Sequence, residues 1–268
     1  MSKNVSITGG ASGMGLQLAR QYLRQGNKVA IFDLTIPDSV SIELPQLSTN
    51  DFGFSEHCAN VCDLPALQAQ VEQAVATIGK PDLVIHCAGI LLADRFEHHS
   101  QSDYEKVVSV NLFGTRNVVE AVLPYLNEGA HLSMISSMAG ITGNYTYAAY
   151  CSSKFAVMGL SKVLRMELKP KGIDVSVICP PEVSTPMVTK EHQTIDPICL
   201  ELKMVAGVLS VEQAVRDIMA GLEKRKHIIV PGFKAKLIYL LNRYMPDAVM
   251  FSIVDRVVAK GLKKVTSQ

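Results

Sequence analysis

The start of the chain places a glycine-rich turn between a short apolar segment and an amphipathic one. Residues 4–8 predict a β-strand, residues 9–15 follow as GGASGMG, and apolar residues then recur at helical spacing up to Gly26. Glycines allow a tight turn and a close approach to a pyrophosphate, whose charge the helix N-terminus offsets. The G-x-x-x-G-x-G spacing differs from the commonest dinucleotide fingerprint, but the order of strand, turn and helix predicts a dinucleotide site.

An acidic residue at the end of the next predicted strand supports this interpretation. Residues 28–32, KVAIF, predict a β-strand that ends on Asp33, about 20 residues beyond the glycines, where an acid accepts hydrogen bonds from the adenosine ribose. The same carboxylate repels the 2′-phosphate of NADP, and neither Ser12 nor Leu34 supplies an offsetting cation. We therefore predict NAD(H), with NADP(H) as the alternative; a solvated strand end is the other interpretation of Asp33.

Strand and helix patterns alternate along most of the 268 residues. This alternation predicts one parallel sheet covered on both faces, an α/β fold of the Rossmann type in a doubly wound single domain over residues 1–231. A C-terminal helical extension is predicted over residues 232–268, and residues 34–53 are predicted to be a surface excursion. The other predicted segments are strands at 54–61, 82–87, 131–137, 174–179 and 228–230, and helices capped by Asp63, over 102–127 with Asn111 in its middle, and over 147–169.

Tyr150 and Lys154 stand four residues apart in the last of these helices, so they share one face. The spacing places a phenol beside an ammonium. A free phenol titrates near pH ~10, and a neighbouring cation favours the phenolate and lowers that pKa. Such a tyrosine exchanges a proton with an alcohol or carbonyl oxygen. Two ordinary helix-surface residues are the alternative, and the glycine-rich turn favours the catalytic interpretation.

With these residues assembled, the chain resembles the short-chain dehydrogenase/reductase family over about residues 3–230. Residues 8–15, TGGASGMG, match the family's T-G-x-x-x-G-x-G, and residues 87–89, CAG, are similar to its N-A-G. Asn111 falls at the family's asparagine on the fourth helix. Ser137 precedes Tyr150 by thirteen residues, the family spacing for the catalytic serine, and Tyr150 with Lys154 matches Y-x-x-x-K.

The resemblance implies roles for four residues and a metal-free mechanism. Tyr150 would be the general acid/base, and Ser137 would polarise the substrate oxygen. Lys154 would lower the pKa of Tyr150 and bind the nicotinamide ribose, while Asn111 would anchor a water of the proton relay. The implied cofactor contacts are Gly9, Ser12, Gly13, Met14, Gly15, Asp33, Asn60, Val61, Cys87, Ala88, Gly89, Tyr150, Lys154, Pro180, Val183 and Thr185.

Three positions depart from the family pattern. Asn60 replaces the aspartate that contacts adenine, and its carbonyl oxygen could still accept a bond from the adenine amino group. Pro180-Pro181 replaces P-G, which predicts a stiffer loop before Val183 and Thr185. Cys87 removes a side-chain amide that many members carry. None of these changes falls on the four residues with implied catalytic roles.

The resemblance places a substrate lid at about residues 185–209, and residues 141–145 on the other side of the site. Flexible aliphatic side chains suit a bulky apolar substrate, so we predict a hydrophobic ketone or secondary alcohol, of lipid or steroid type. The alternative is that half of these lid side chains only pack the lid onto the body of the protein. The residues concerned are Met187, Val188, Ile195, Ile198, Leu200, Leu202, Met204 and Val205.

The extension over residues 232–268 is basic, with seven Lys or Arg and two Asp, and predicts two apolar-faced helices broken at Pro246. Two placements are open: on an anionic membrane surface, or against the body or another subunit. Such a tail resembles the lipid-handling branches that include 3-ketosphinganine reductases. An NADP(H)-dependent reductase of lipid ketones is therefore the second functional hypothesis.

Net charge, cysteine spacing and the length of apolar runs bear on which other classes of protein the chain could belong to. A formal net charge of +1 gives no case for a nucleic-acid partner, and the six cysteines lack C-x-x-C spacing, as expected of reduced thiols. No apolar run reaches the ~18 residues of a membrane span, and a strand starts too early for a signal peptide, so we expect a cytoplasmic protein. The family resemblance implies a homodimer or homotetramer. A non-catalytic nucleotide-sensing scaffold is the least favoured hypothesis, because Ser137, Tyr150 and Lys154 are all present.

Overall fold

A seven-stranded parallel sheet forms the centre of the computed structural model, which describes residues 2–49, 53–193 and 195–266. The strand order is β3-β2-β1-β4-β5-β6-β9, and every pairing in it is parallel. The predicted fold class is therefore confirmed. The strands of this sheet are β1 (Asn4–Thr8), β2 (Lys28–Asp33), β3 (Phe54–Cys58), β4 (Leu83–His86), β5 (His131–Ile135), β6 (Asp174–Ile178) and β9 (Ile228–Ile229), while β7 (Glu182–Val183) pairs with β8 (Val208–Leu209) outside it.

Helices cover both faces of the sheet, and each face has its own apolar core. On one face, Leu67, Val118 and Val157 belong to one buried cluster. On the other, Leu18 and Ile218 belong to a second. The first face is covered by α3 (Leu64–Ile78), α4 (Gln101–Val108), α5 (Gly114–Val122) and α6 (Ala148–Leu168), and the second by α1 (Gly13–Arg24), α2 (Asp38–Gln46) and α9 (Val211–Glu223).

The prediction of a surface excursion over residues 34–53 is wrong in its centre. Asp38–Gln46 forms α2, and its Val40 and Leu44 are buried against the core. The low helix propensity of its serines and of Pro45 concealed this element, because tertiary burial of two apolar residues outweighs propensity. Residues 50–52 of the excursion lie outside the described part of the chain.

The predicted continuous helix over residues 102–127 starts at Gln101 and contains a π-turn. Ser109–Phe113 forms this turn, and the amide of Gly114 donates to the carbonyl of Ser109, five residues earlier. A Cβ atom on Gly114 would lie 2.7 Å from Cγ2 of Val61. The absence of a side chain there lets the helix approach the loop after β3, and the wider turn sets Asn111 towards the interior.

The lid and the extension are helical and pack together. The lid contains α7 (Pro186–Glu191) and α8 (Pro197–Ala206), and the extension contains α10 (Phe233–Tyr244) and α11 (Asp247–Thr266), separated at Pro246 as predicted. A Cβ atom on Gly261 of α11 would lie 3.2 Å from the Cα of Ile198 on α8, so the two helices touch closely. Among the described residues, no helix combines the length and apolar character needed to cross a bilayer.

Candidate active site

The residues that the sequence singled out meet at the carboxyl ends of the parallel strands. The glycine-rich turn follows β1, Asp33 ends β2, and Asn60 follows β3. Residues 87–89 follow β4, Ser137 follows β5, and Pro180 follows β6. Ligands of open α/β sheets bind at this edge, so the topology gathers positions as far apart in the sequence as Gly9 and Pro180.

The glycine-rich turn forms a cradle with no room for side chains. Gly9 has a φ of +65°, and a Cβ atom there would lie 2.7 Å from the amide nitrogen of Ala88. A Cβ atom on Gly15 would lie 2.0 Å from the carbonyl oxygen of Gly9, and Gly13 has a φ of +52° at the first residue of α1. A backbone held this close to a helix N-terminus fits a pyrophosphate, so the residues present fit a dinucleotide.

Asp33 faces this cradle from the end of β2. Its Oδ2 accepts a hydrogen bond from the amide of Ala11 at 3.0 Å, and its Oδ1 accepts one from the amide of Leu34 at 2.8 Å. Two backbone donors fix the carboxylate beside the glycine-rich turn. Leu34, the neighbour in sequence, is exposed and uncharged, so it offers no cation to a 2′-phosphate.

The loop after β3 is anchored to helix α5 by a side-chain hydrogen bond. The carbonyl of Val61 accepts a hydrogen bond from Nδ2 of Asn117 at 2.9 Å. Asn60 is exposed, and its Oδ1 accepts a bond from the amide of Cys62 at 3.0 Å. The side-chain oxygen thus already stabilises its own loop, while its contact with adenine stays a prediction.

The loop after β6 closes the cradle on its far side. A Cβ atom on Gly13 would meet the methyl group of Thr185 at 3.5 Å, so Thr185 lies against the turn. The carbonyl of Pro180 accepts a bond from the amide of Met138 at 2.9 Å, and Val183 is buried in the β7–β8 pair. Despite the two prolines, the loop brings Val183 and Thr185 to the predicted cofactor edge.

Helix α6 presents Tyr150 and Lys154 towards β5, as the i and i+4 spacing predicts. Nζ of Lys154 lies 5.5 Å from the centroid of the Tyr150 ring and donates a hydrogen bond to the carbonyl of Ile135 at 2.9 Å. Ser137 forms a hydrogen bond with Tyr150, and its Oγ accepts one from the amide of Ala139 at 3.1 Å. Ser, Tyr and Lys are therefore brought together.

The electrostatics of Tyr150 differ from the prediction. Burial raises the pKa of Tyr150 to about 12, while the hydrogen bond with Ser137 acts to lower it. The predicted low pKa of Tyr150 is therefore not found in the protein alone, because desolvation of the phenolate dominates the net shift. Burial also lowers the pKa of Lys154 to about 8, because keeping its ammonium group charged inside the protein costs desolvation free energy.

Asn111 is buried in the π-turn and does not face solvent. Its Oδ1 accepts from the amide of Ile90 at 2.8 Å, and its Nδ2 donates to the carbonyl of Ile90 at 2.9 Å and to Oγ of Ser153 at 3.1 Å. The amide group is thus committed to the backbone after Gly89. A Cβ atom on Gly89 would lie 3.1 Å from Oδ1 of Asn111 and 3.4 Å from Nζ of Lys154, so these three residues meet.

Sequence reasoning missed a buried hydrogen-bond chain that joins the nucleotide turn to Asn111. Nδ1 of His86 lies 2.7 Å from Oγ1 of Thr8, and its Nε2 lies 2.9 Å from Oγ1 of Thr115. Thr115 in turn donates to the carbonyl of Asn111 at 2.6 Å. His86 directly precedes the C-A-G motif, which was the available signal, but a single buried histidine is ordinary in a core.

We predict that His86 makes the protein sensitive to acid. Burial lowers the pKa of His86 to about 3, whereas an unfolded histidine titrates near ~6.5. Between these values only the unfolded chain binds the proton, so the free energy of unfolding falls as pH decreases, by about 1.4 kcal/mol per pH unit. Urea unfolding of His86→Asn between pH 7 and 4 should show a shallower dependence on pH than the wild type.

The exposed His98 supplies the control for this measurement, because His98→Gln should leave the slope unchanged. His131, a second histidine whose pKa burial lowers, to about 4, contributes equally to all three proteins. Equal slopes in wild type and His86→Asn would contradict the assignment.

An apolar cavity of about 480 Å³ opens beside Tyr150, between the lid, the extension and residues 142–145. Of the predicted lid residues, Met187, Val188, Leu202 and Val205 line it; Ile198 is buried elsewhere, and the side chain of Met204 lies outside the described part of the chain. Ile141 packs against the core instead of the cavity. The extension contributes Ile238, Leu241, Met250, Phe251, Ile253, Val254, Val257 and Val258, which the sequence did not assign to the site.

Four polar residues of the cavity wall were also missed. Tyr147, Glu182, Glu191 and Lys203 all line the cavity and contact one another in pairs. No local motif marks them, because Tyr147 directly precedes α6 and the other three come from β7, α7 and α8. They meet only when the lid lies on the body.

A parallel sheet with a nucleotide cradle at its carboxyl edge and a Ser-Tyr-Lys set beside it defines an oxidoreductase of the Rossmann type. The family model for short chain dehydrogenases matches residues 3–196. The chain therefore belongs to the short-chain dehydrogenase/reductase family.

Relatives and solved structures agree with this assignment. The 3-ketodihydrosphingosine reductase of Bos taurus is 30% identical over 231 residues, covering 81% of this chain and 69% of that protein. The 3-dehydrosphinganine reductase of Arabidopsis thaliana is 27% identical over 99% of this chain and 81% of its own length. A short chain dehydrogenase from Mycobacterium paratuberculosis bound to NAD has a TM-score of 0.76 at 25% identity, with 85% and 96% covered.

Proposed function

We propose that the chain interconverts a long-chain ketone and a secondary alcohol by hydride transfer with a nicotinamide cofactor. The observation that carries the proposal is the position of Tyr150 and Ser137 at the junction of the glycine cradle and the apolar cavity. The bound cofactor supplies the hydride in the direction of reduction. A nicotinamide cofactor also suits the NAD-bound structural neighbour.

The residues of the chain supply position and the proton. In reduction, Tyr150 would give its phenol proton to the carbonyl oxygen of the substrate as the carbonyl carbon accepts the hydride, so that the secondary alcohol forms. Ser137 donates a hydrogen bond to the same oxygen. Lys154 would bind the ribose hydroxyls of the cofactor, and the backbone carbonyl of Asn111, in the π-turn, would hold the water that returns a proton to Tyr150.

The cofactor in this proposal is NAD(H), with the contacts named above from Gly9 to Thr185. Asp33, fixed by two amides beside the cradle, would share its outer lone pairs with the ribose hydroxyls and repel a 2′-phosphate. The second candidate is an NADP(H)-dependent reductase of lipid ketones. The names of the bovine and plant relatives support reduction of a lipid ketone, whichever of the two nicotinamide cofactors is used.

The apolar wall of the cavity supports a lipid-like substrate. Aliphatic and methionine side chains of the lid, about residues 185–209, and of the extension form one side of the cavity wall. The catalytic domain would span residues 1–231. The rate of NADH oxidation by the purified chain, measured once with a long-chain ketone and once with a short polar ketone, tests whether the substrate is lipid-like. Faster turnover of the polar ketone would overturn this substrate class.

We also propose that the extension over residues 232–268 meets an anionic membrane, alongside its packing on the lid. Phe251 and Leu241 line the cavity and are also exposed, so the cavity opens between α10 and α11. Phe233 is 82% exposed and Tyr244 is 74% exposed, among the Lys and Arg residues of these helices. Aromatic side chains and cations in this arrangement suit the interface of an anionic bilayer.

We predict binding to vesicles of phosphatidylcholine with phosphatidylserine that is at least about tenfold stronger than to phosphatidylcholine alone, since each basic residue contributes about 1 kcal/mol. Cosedimentation of Phe233→Ser/Tyr244→Ser should show most of the binding lost. The control is Phe96→Ser, an exposed aromatic residue outside the extension. Binding that depends neither on lipid charge nor on the two aromatic residues would contradict the proposal.

The homodimer or homotetramer stays a proposal. Phe113, Phe155 and Met166, which lie in the segment from α4 to α6, are exposed apolar side chains that could contact a second copy.

A further inference from the structure

A second, smaller pocket lies at the amino ends of β6 and β9, on the opposite edge of the sheet from the active site. We call it the basic pocket; its volume is about 130 Å³. That volume corresponds to about four water molecules at ~30 Å³ each, so it is large enough for one small oxyanion. The polar residues that line it are Arg165, Lys169, Asp174, Arg225 and His227.

The basic pocket has an excess of positive charge. Its lining holds three cationic side chains and one carboxylate, that of Asp174. Nη1 of Arg225 lies 2.7 Å from Oδ2 of Asp174, and Nζ of Lys169 lies 3.4 Å from Oδ1, so two cations share the carboxylate. Arg165 is exposed, and within the described part of the chain its guanidinium forms no ion pair. The lining therefore attracts an anion.

Part of this charge has a purely structural explanation. Arg165 and Lys169 lie at the carboxyl end of α6, where cations offset the helix dipole. Arg225 is not explained in this way, because it follows α9 and has a φ of +48°, in the left-handed region that favours glycine. Its guanidinium bonds to Asp174 and to the carbonyl of Gly129 at 2.9 Å, which holds the charge beside the pocket.

His227 adds a hydrogen-bond acceptor to the pocket. Its Nδ1 lies 3.0 Å from the carbonyl oxygen of Val175, and because a carbonyl only accepts, Nδ1 carries the proton. Nε2 of the neutral ring therefore presents a lone pair. This atom is buried, and none of the described residues forms a hydrogen bond with it. A buried acceptor without a partner costs free energy, so a ligand that donates a proton to Nε2 is favoured.

We propose that the basic pocket binds inorganic phosphate in its hydrogen phosphate form. The unprotonated oxygens accept hydrogen bonds from the guanidinium and ammonium groups, and the P–O–H group donates to Nε2 of His227. Sulfate has the same shape and charge but no proton, and a phosphate monoester loses its last proton near pH ~6. The pocket thus prefers hydrogen phosphate to both. The proposal is independent of the proposed function, because it uses none of the active-site residues.

The position of the pocket favours dissolved phosphate over a lipid headgroup. Tyr150 lies near the start of α6 and Arg165 near its end, so a rise of ~1.5 Å per residue separates them by roughly 22 Å along the helix axis. Helices α10 and α11 line the cavity beside Tyr150. A membrane that meets the extension would therefore lie at the other edge of the sheet.

Phosphorus NMR of the full chain tests the choice of anion. Titration with inorganic phosphate at pH ~8 gives its Kd, and displacement by sulfate or by glycerol phosphate gives the affinities of these competitors. We expect hydrogen phosphate to bind at least about tenfold more tightly than either, because only hydrogen phosphate satisfies the buried Nε2. Equal affinities for the three anions would overturn the proposal.

Two variants test the assigned residues. Arg165→Gln should weaken phosphate binding about fivefold, since it removes an exposed cation. Its matched control is Arg24→Gln, which removes the arginine in the last turn of α1 and should bind phosphate as the wild type does. His227→Asn keeps an amide donor for the carbonyl of Val175 but removes Nε2, so the preference for phosphate over sulfate should fall towards one.

Binding elsewhere on the protein gives a different result. Phosphate that bound only in the glycine cradle would respond to neither Arg165→Gln nor His227→Asn, and this outcome would contradict the proposal. Cosedimentation with phosphatidylcholine vesicles that contain phosphatidic acid tests the lipid source. Equal vesicle binding by the wild type and Arg165→Gln, together with weaker phosphate binding by the variant, supports a site for dissolved phosphate. Vesicle binding lost in Arg165→Gln would make a lipid headgroup the occupant and overturn the proposal.

Discussion

Replacement of Tyr150 by Phe should lower kcat for ketone reduction by about a thousandfold, within the range of positioned acid–base groups. The phenol is the group beside Ser137 that can give a proton to the carbonyl oxygen as the hydride arrives. Because burial raises the pKa of Tyr150 to about 12, the phenol keeps its proton at neutral pH and is available as the proton donor in reduction. Stopped-flow or steady-state oxidation of NADH measures the effect.

Cofactor affinity should change little in the same variant, because Phe keeps the ring and Lys154 keeps its bond to the carbonyl of Ile135. Nicotinamide fluorescence on binding of NADH checks this. Tyr104→Phe is the control: it removes a phenol that donates to Ser152 on the exposed side of α6, and its kcat should match the wild type. A Tyr150→Phe enzyme with near-normal kcat would refute the assignment of Tyr150, and lost NADH binding would refute the division of roles.

NADH should bind at least about a hundredfold more tightly than NADPH, a difference of roughly 2.7 kcal/mol. The Asp33 carboxylate is fixed by the amides of Ala11 and Leu34, so it cannot move away from a 2′-phosphate. Like charges brought together in this way cost several kcal/mol. In Asp33→Ala/Leu34→Arg the preference should reverse, since the repulsion is gone and a guanidinium can pair with the phosphate.

The matched control for this prediction is Asp38→Ala, which removes an exposed acid at the start of α2 and should leave the NADH preference intact. Fluorescence titration with both cofactors measures all three proteins. A wild type that binds NADPH more tightly would contradict the role of Asp33. It would also move the NADP(H)-dependent lipid-ketone reductase ahead of the NAD(H) enzyme as the proposed function.

The sequence alone determined the parallel sheet, the glycine cradle and the pairing of Tyr150 with Lys154. These features depend on local periodicity: apolar runs predict strands, and the i and i+4 spacing places two side chains on one helix face whatever surrounds it. The exception within the fold is α2, where the burial of Val40 and Leu44 overrides weak propensity. The π-turn at Ser109–Phe113 was likewise invisible, because it depends on Gly114 packing on Val61.

Only the tertiary structure decided the electrostatics and the shape of the site. The ammonium of Lys154 is close to Tyr150 as its spacing requires, yet burial, which no spacing reveals, raises the pKa of the phenol. The buried charged side chains of the cavity wall, Glu182, Glu191 and Lys203, come from three elements, and the cavity is closed by an extension more than 80 residues beyond Tyr150. Desolvation and long-range contact exist only in the packed chain, so they set pKa values and specificity after the local pattern has set the fold.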